Sequence, residues 1–240
     1  MKIVNTIKTI LLLSVVVILP SCLDLDPQDQ MSDANLWQTP NDYKLYANQF
    51  YEWTRDFSSA VYDGPHSDTR SDLMTSSSYN EYSKGINNIP VSDGNYTGAY
   101  TKIRYANILL QKAESYPNPT DIARYVAEAK FLRALYLFDI VRNWGQAPLI
   151  LHEPTEVSTV SQLDSADKFY EQILTDLGDV MNSALPMRQS ASEYGRVSKA
   201  AAKHLRSLVY LTRGYQSYSV ASDFTNALAD AEDIIQNSGH

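Results

Sequence analysis

The architecture of this chain can be predicted from one segment, residues 118–149, which reads NPTDIARYVAEAKFLRALYLFDIVRNWGQAPL. Asn118 is a good helix cap, and Pro119 fits the first helical position. Apolar residues then recur three or four positions apart and so share one face: Ile122, Tyr125, Val126, Ala129, Leu132, Tyr136 and Ile140. From residue 131 to 141 the other faces are mostly apolar too, which indicates burial on several sides. Gly145 and Pro148 end the pattern, so we predict one long helix in the middle of the core.

Five further segments have helical periodicity and are expected to pack around this central helix. They lie at residues 41–55, 100–116, 164–185, 198–213 and 222–239. Pro117 leaves only a short link between the second segment and the central helix, which predicts a tight antiparallel pair. The segments at 164–185 and 198–213 are predicted to form a second pair, and the last helix is then left without a partner.

The expected fold class is therefore all-α. We predict one helical domain over residues 41–240, with an irregular array of tetratricopeptide-like hairpins over 100–240. The last hairpin is expected to be incomplete, so the chain is interpreted as a fragment of a longer protein.

Residues 55–98 differ from the rest, because they contain many Ser, Asn and Gly residues and no helical periodicity. Long loops on a rigid scaffold commonly carry binding residues. Aromatic faces can stack on the C–H faces of sugar rings, while Asn and Asp can bond to the hydroxyls. The candidate ligand-binding residues of this loop-rich part are Asp72, Tyr79, Tyr82, Asn87, Asn88 and Tyr96. The alternative is that these tyrosines pack the loop onto the helices.

The N-terminus is typical of an exported lipoprotein. Lys2 and Lys8 precede a short apolar run, which is too short for an ordinary membrane helix and predicts a signal peptide at 1–21. Cys22, the only cysteine of the chain, follows directly in the order Leu-Pro-Ser-Cys. This resembles a lipobox, in which the cysteine receives the lipid, so residues 22–40 are interpreted as a tether to the membrane.

Charge and motifs exclude several functions. The formal net charge is −8 without a basic stripe, which argues against nucleic acid as a partner. Hydrolase, phosphate-loop and metal-ligand motifs are absent from the sequence. Asp63, Asp68 and Asp72 could pair as acid and base, but Asp in a Ser-rich loop usually caps turns. We therefore expect no catalysis, no metal and no cofactor.

Arg133 is the one charge in the apolar part of the central helix that needs a distant partner. An unpaired buried Arg is costly. We interpret Arg133 as half of an internal ion pair between helices, with a ligand contact as the alternative. Two other pairs are predicted along the same helix, Arg124 with Glu128 and Asp139 with Arg142.

The central helix also carries a family resemblance. Glu128-Ala-Lys-Phe-Leu-Arg-Ala-Leu-Tyr-Leu-Phe-Asp, followed by Trp144-Gly-Gln-Ala-Pro-Leu, resembles the signature helix of the SusD/RagB family. Four further segments match the pattern of that family in the same order: Ser71-Asp-Leu-Met, Ile103-Arg-Tyr-Ala-Asn, Ser165–Pro186 and Gly195-Arg-Val-Ser-Lys-Ala-Ala-Ala.

The resemblance implies an outer-membrane lipoprotein on the cell surface of a Bacteroidetes bacterium. Such proteins cover a SusC-type TonB-dependent transporter and pass it an oligosaccharide or, in some members, a peptide. The binding residues of the family follow no fixed motif, so none is carried over. The alternative hypothesis is a helical-repeat module that binds other proteins and has no small-molecule ligand.

Overall fold

The computed structural model describes residues 36–54, 73, 81, 83–88, 90–153 and 162–239. These residues form six α-helices, all within the unit Thr39–His240, and they contain no strand. The helices are α1 (Pro40–Asn48), α2 (Gly94–Glu114), α3 (Pro119–Trp144), α4 (Ala166–Asn182), α5 (Lys199–Gly214) and α6 (Asp223–Asn237), and a 3-10 helix, Gln49–Trp53, continues α1. The expected all-α class is confirmed.

Helix α3 occupies the centre of the core, as its apolar pattern predicts. It packs against α2 and α4 and also contacts α1 and α5. Most of its apolar side chains are buried, with Ile122, Leu137 and Ile140 fully inaccessible. The half-buried ones include Tyr125, Val126, Phe131 and Leu135. The helix ends at Gly145, whose φ of 72° lies in the region that favours glycine.

Helix α2 runs antiparallel to α3, because residues early in α2 meet residues late in α3. The rings of Tyr96 and Trp144 lie 5.2 Å apart, and Asn107 Oδ1 accepts a hydrogen bond from Arg133 Nη1 at 3.0 Å. The predicted pairing of these two helices is confirmed.

The predicted start of α2 at residue 100 is wrong. The helix begins at Gly94, so residues 94–98 of the predicted loop are helical and Tyr96 is a helical residue. Asp93 caps this end, since its carboxylate accepts the backbone N–H groups of Asn95 and Tyr96 at 2.8 and 3.3 Å. The cap stabilises a first turn that Gly94 and Gly98 make intrinsically weak.

The predicted pairing of the last three helices is also wrong. Helix α5 packs more extensively against α6 than against α4, and α4 packs mainly on α3. Several ion pairs join α5 to α6, among them Arg206 with Asp230 at 2.7 Å, Lys203 with Asp233 at 2.9 Å, and Arg213 with Asp223. Helical periodicity identifies the buried face of a helix but not its neighbour, so the last helix has a partner that the sequence pattern did not reveal.

The structure shows that the partner of Arg133 is Asp176 of α4. Arg133 Nε and Nη2 donate to the two carboxylate oxygens at 2.8 and 2.7 Å, and both side chains are buried. The interpretation of Arg133 as half of an internal ion pair is confirmed. The pairs of Arg124 with Glu128 and of Arg142 with Asp139 are confirmed as well, at 3.2 and 2.7 Å.

A second buried ion-pair network fixes the 3-10 helix after α1. Glu128 is fully inaccessible and accepts from Arg196 Nε and Nη2 at 3.0 and 2.6 Å. The guanidinium of Arg196 lies 5.0 Å from the centre of the Tyr51 ring, and the Tyr51 hydroxyl accepts from the backbone N–H of Val197 at 3.1 Å. This network holds the 3-10 helix, and with it Trp53, against α3.

Candidate functional site

A groove of about 430 Å³ lies where the 3-10 helix, the first turns of α2 and the last turns of α3 meet. Its volume falls within the range of small-molecule sites, roughly 300–1,000 Å³. We call it the indole groove, because it contains two of the three tryptophans of the chain. It is lined by Trp53, Thr54, Gly94, Asn95, Gly98, Ala99, Lys102, Leu135, Tyr136, Asp139, Arg142, Asn143 and Trp144.

Each tryptophan of the groove is positioned by neighbouring aromatic rings. Trp53 packs against Phe50 and Tyr105, with ring centres 5.4 and 5.3 Å apart. Trp144 meets the ring of Tyr96 at 5.2 Å in an edge-on arrangement. Such packing presents large amphipathic side chains at a low cost in side-chain entropy.

Tyr136 forms the buried base of the groove and connects it to Trp53. Its hydroxyl donates to the backbone carbonyl of Trp53 at 3.0 Å. Lys102 lies over the same ring, with Nζ 4.6 Å from its centre. The face of Tyr136 therefore has a cation on it, so the indoles are the available aromatic surfaces.

Three polar side chains of the groove, at the end of α3, form hydrogen bonds within that helix. Arg142 Nη2 donates to Asp139 Oδ1 at 2.7 Å, and the side-chain amide of Asn143 donates to the backbone carbonyl of Asp139 at 2.8 Å. The side chains of Asp139 and Arg142 are 29% and 33% exposed, so they remain accessible to a ligand. The groove thus offers hydrogen-bond donors and acceptors beside apolar surfaces.

Tyr100 fixes the wall of α2 to the segment that follows α3. Its hydroxyl donates to the backbone carbonyl of Pro148 at 2.6 Å. Burial raises the pKa of Tyr100 far above its usual value, and its hydrogen bond with Tyr96 raises it further. The hydroxyl therefore stays protonated at physiological pH and keeps this bond.

The candidate residues from the loop-rich part are only partly placed by the structure. Tyr96 is half-buried and its ring contacts Trp144, which lines the groove, whereas Asn87 and Asn88 are exposed. None of these three candidates is itself among the lining residues. Asp72, Tyr79 and Tyr82 lie outside the described residues, as does Cys22.

Sequence reasoning missed Trp53 and Trp144 as site residues. Trp53 belongs to the first predicted helix, and Trp144 was noted only as part of the signature segment. The predicted antiparallel pairing of residues 100–116 with the central helix could have identified Trp144 as a site residue. That pairing brings the end of α3 to the start of α2, where Tyr96 lies.

A second cavity, of about 600 Å³, lies between α2, the start of α3 and the segment 151–152. It is lined by Asn107, Leu110, Gln111, Ala113, Glu114, Pro119, Ile122, Ala123, Val126, Lys130, Arg133, Leu151, His152 and Gln172. None of these is Phe, Tyr or Trp, and Arg133 is committed to Asp176. Among the residues that the structure describes, this cavity thus has no Phe, Tyr or Trp ring and differs in this from the indole groove.

Two classes of site are not found in the described part of the chain. There, no three His, Cys, Asp or Glu side chains are placed so that they could hold a metal ion. No helix among these residues is both long enough and apolar enough to cross a bilayer.

Comparison with known proteins identifies the family. The family model SusD-like_3, described as "Starch-binding associating with outer membrane", matches residues 23–211. A SusD-like protein of Bacteroides ovatus is 28% identical over 156 residues, which are 61% of this chain and 28% of that protein.

Two solved structures are also similar. A laminarin-binding SusD-like protein is 31% identical with a TM-score of 0.55, over 64% of this chain and 32% of that one. A structure with xylogluco-oligosaccharide is 27% identical with a TM-score of 0.54, over 61% of this chain and 30% of that one. This chain thus spans about a third of the length of these relatives. Together with the helical fold, these matches establish that the chain belongs to the SusD-like family of the Bacteroidetes.

Proposed function

We propose that this chain is part of a non-catalytic surface lipoprotein that binds a glycan and delivers it to a SusC-type TonB-dependent transporter of the outer membrane. The observation that carries the proposal is its similarity, at 27–31% identity, to one protein named as laminarin-binding and another solved with xylogluco-oligosaccharide. In this proposal the lipid on Cys22 anchors the protein, and no cofactor is used.

The ligand face is proposed to lie around the start of α2. Tyr96 is exposed enough there to contact a ligand, and its ring is held by Trp144. In this proposal Asp72, Tyr79, Tyr82, Asn87 and Asn88 supply further aromatic and hydrogen-bonding groups from the loop-rich part. A rigid helix beside a polar loop suits saccharide capture, because the helix fixes the stacking surface and the loop adapts to the hydroxyls.

Calorimetric titration of the whole protein with glucan oligosaccharides tests this function. We expect saturable binding that weakens when Tyr79, Tyr82 and Tyr96 are replaced by Ala. Absence of binding to laminarin, xyloglucan and starch oligosaccharides would contradict glycan capture by these classes. Co-purification of a TonB-dependent transporter with the tagged protein tests the proposed partner separately.

One observation favours a second candidate function, a helical-repeat module whose ligand is another protein. Apolar side chains on α5 and α6 are accessible, with Leu211 42%, Leu228 59% and Ile235 78% exposed. Exposed apolar clusters are common in protein interfaces. The two functions are separated by replacing Leu228 and Ile235 with Ser. Loss of the transporter with unchanged saccharide affinity assigns this face to protein contact, whereas transporter binding by a protein that takes no glycan supports the second candidate.

A further inference from the structure

We infer that the indole groove is a subsite for a neutral hexose ring of the glycan, and that Gly98 keeps it open. The inference rests on the proposed function and deepens it, since it names a groove between the 3-10 helix, α2 and α3 and the class of sugar that it takes.

The aromatic surfaces of the groove suit a sugar ring. Trp53 and Trp144 both line the cavity, and each is packed against other rings, so neither side chain has to be ordered when a ligand enters. Sugar rings expose C–H groups on their faces, and these pack well on a fixed indole. Preorganised aromatic side chains reduce the entropic cost of binding.

The polar groups of the groove suit hydroxyls better than an anion. Arg142 is paired with Asp139, and Lys102 lies on the ring of Tyr136. A carboxylate or sulfate on a ligand would therefore compete with Asp139 for Arg142, and the carboxylate of Asp139 repels it. Hydroxyl groups can instead accept from Arg142 and donate to Asp139 without breaking their ion pair. A neutral hexose is compatible with this ion pair, whereas the carboxylate of a uronic acid would disturb it.

The wall formed by α2 is open because of its glycines. Gly94 and Gly98 are one helical turn apart and both line the groove. A Cβ atom built on Gly98 meets no atom within 4 Å, so a side chain there has the space of the groove itself. Glycine is otherwise unfavourable within a helix, by about 1 kcal/mol relative to Ala.

Filling this space tests the inference without removing any contact of the folded protein. Gly98→Met places a flexible side chain in the groove and raises the helix propensity of α2. Gly178→Met is the matched control. Gly178 is also a helical glycine whose added Cβ meets no atom within 4 Å, but it lies in α4 and does not line the groove.

The measurement is titration of the whole protein, wild type and both variants, with laminarin, xyloglucan and malto-oligosaccharides, and with an oligogalacturonide as the anionic probe. We expect the neutral saccharide that binds the wild type to lose affinity at least tenfold, about 1.4 kcal/mol, in G98M and to keep it in G178M. The oligogalacturonide is expected to bind more weakly than the neutral saccharides.

Four results overturn the inference. Unchanged affinity in G98M, or an equal loss in G178M, shows that the groove is not the subsite, while glycan capture by the protein stands. Tighter binding of the oligogalacturonide than of any neutral saccharide shows that the class of sugar is wrong. A wild-type protein that binds none of the neutral saccharides removes both the proposed function and the subsite.

Discussion

Replacing Asp176 with Asn should lower the free energy of unfolding by about 3–5 kcal/mol, the usual cost of breaking a buried ion pair from one side. Asp176 is 1% exposed and accepts from Arg133 Nε at 2.8 Å, Arg133 Nη2 at 2.7 Å and Gln172 Nε2 at 3.0 Å. Asparagine has the same shape but carries no charge. Its NH₂ group would face a donor, and the guanidinium of Arg133 would stay buried without its counter-ion.

The double variant Arg133→Met with Asp176→Leu separates the ion pair from simple packing. Removing both charges leaves no buried ion, so most of the penalty disappears. Asn107 Oδ1 then loses its bond from Arg133 Nη1, which costs about 1–3 kcal/mol if no water replaces it. The double variant should therefore be more stable than D176N.

The chain offers a matched control on the same two helices. Lys130 and Asp179 also join α3 to α4, but their side chains are 26% and 47% exposed. Asp179→Asn should change the free energy of unfolding by at most about 1 kcal/mol, as is typical of accessible ion pairs. Urea unfolding followed by circular dichroism at pH 7 gives all four values. A D176N variant as stable as D179N would refute the reasoning.

Three other perturbations have defined outcomes. Burial raises the pKa of Asp223, but hydrogen bonds from Arg213 and from the backbone N–H of Val220 outweigh it and hold the pKa below 3.8. The ionised group thus stabilises the fold above that pH. The free energy of unfolding in urea should therefore fall more steeply for the wild type than for Asp223→Asn as the pH drops below about 4. Parallel pH profiles of the two proteins would contradict this. Gly145→Ala should cost about 1–2 kcal/mol, because φ is 72° at this position, and an unchanged urea midpoint would show that the strain is absent. Cys22→Ala should move the exported protein from the membrane fraction to the soluble fraction, and membrane retention of the variant would exclude the lipid anchor.

The central helix could be predicted because its signals agree. The apolar pattern from Ile122 to Ile140, the proline at its start and Gly145 at its end all indicate one buried helix, and the structure has it at Pro119–Trp144. The need of Arg133 for a partner was predictable too, since an unpaired buried charge is unfavourable. The identity of Asp176 was not, because many acidic residues lie at suitable positions on other helices and only the packing selects one.

The start of α2 and the helix pairing were not predictable from periodicity. Gly94 and Gly98 lower the helix propensity of the first turn of α2, so the sequence reads as loop there although Asp93 is a good N-cap. The contacts of α5 depend on a turn that brings α6 onto it, and periodicity carries no such information. The indole groove is a product of the tertiary arrangement, because Trp53 and Trp144 are far apart in the sequence and line one cavity only when the 3-10 helix packs beside α3.

The most direct measurement is a crystal structure of the whole protein with the neutral oligosaccharide that it binds best. A sugar ring in the indole groove, against Trp53 or Trp144 and hydrogen-bonded to Asp139 or Arg142, is the result that we predict. A saccharide bound elsewhere, with the groove left to solvent or filled by another part of the protein, would contradict the account.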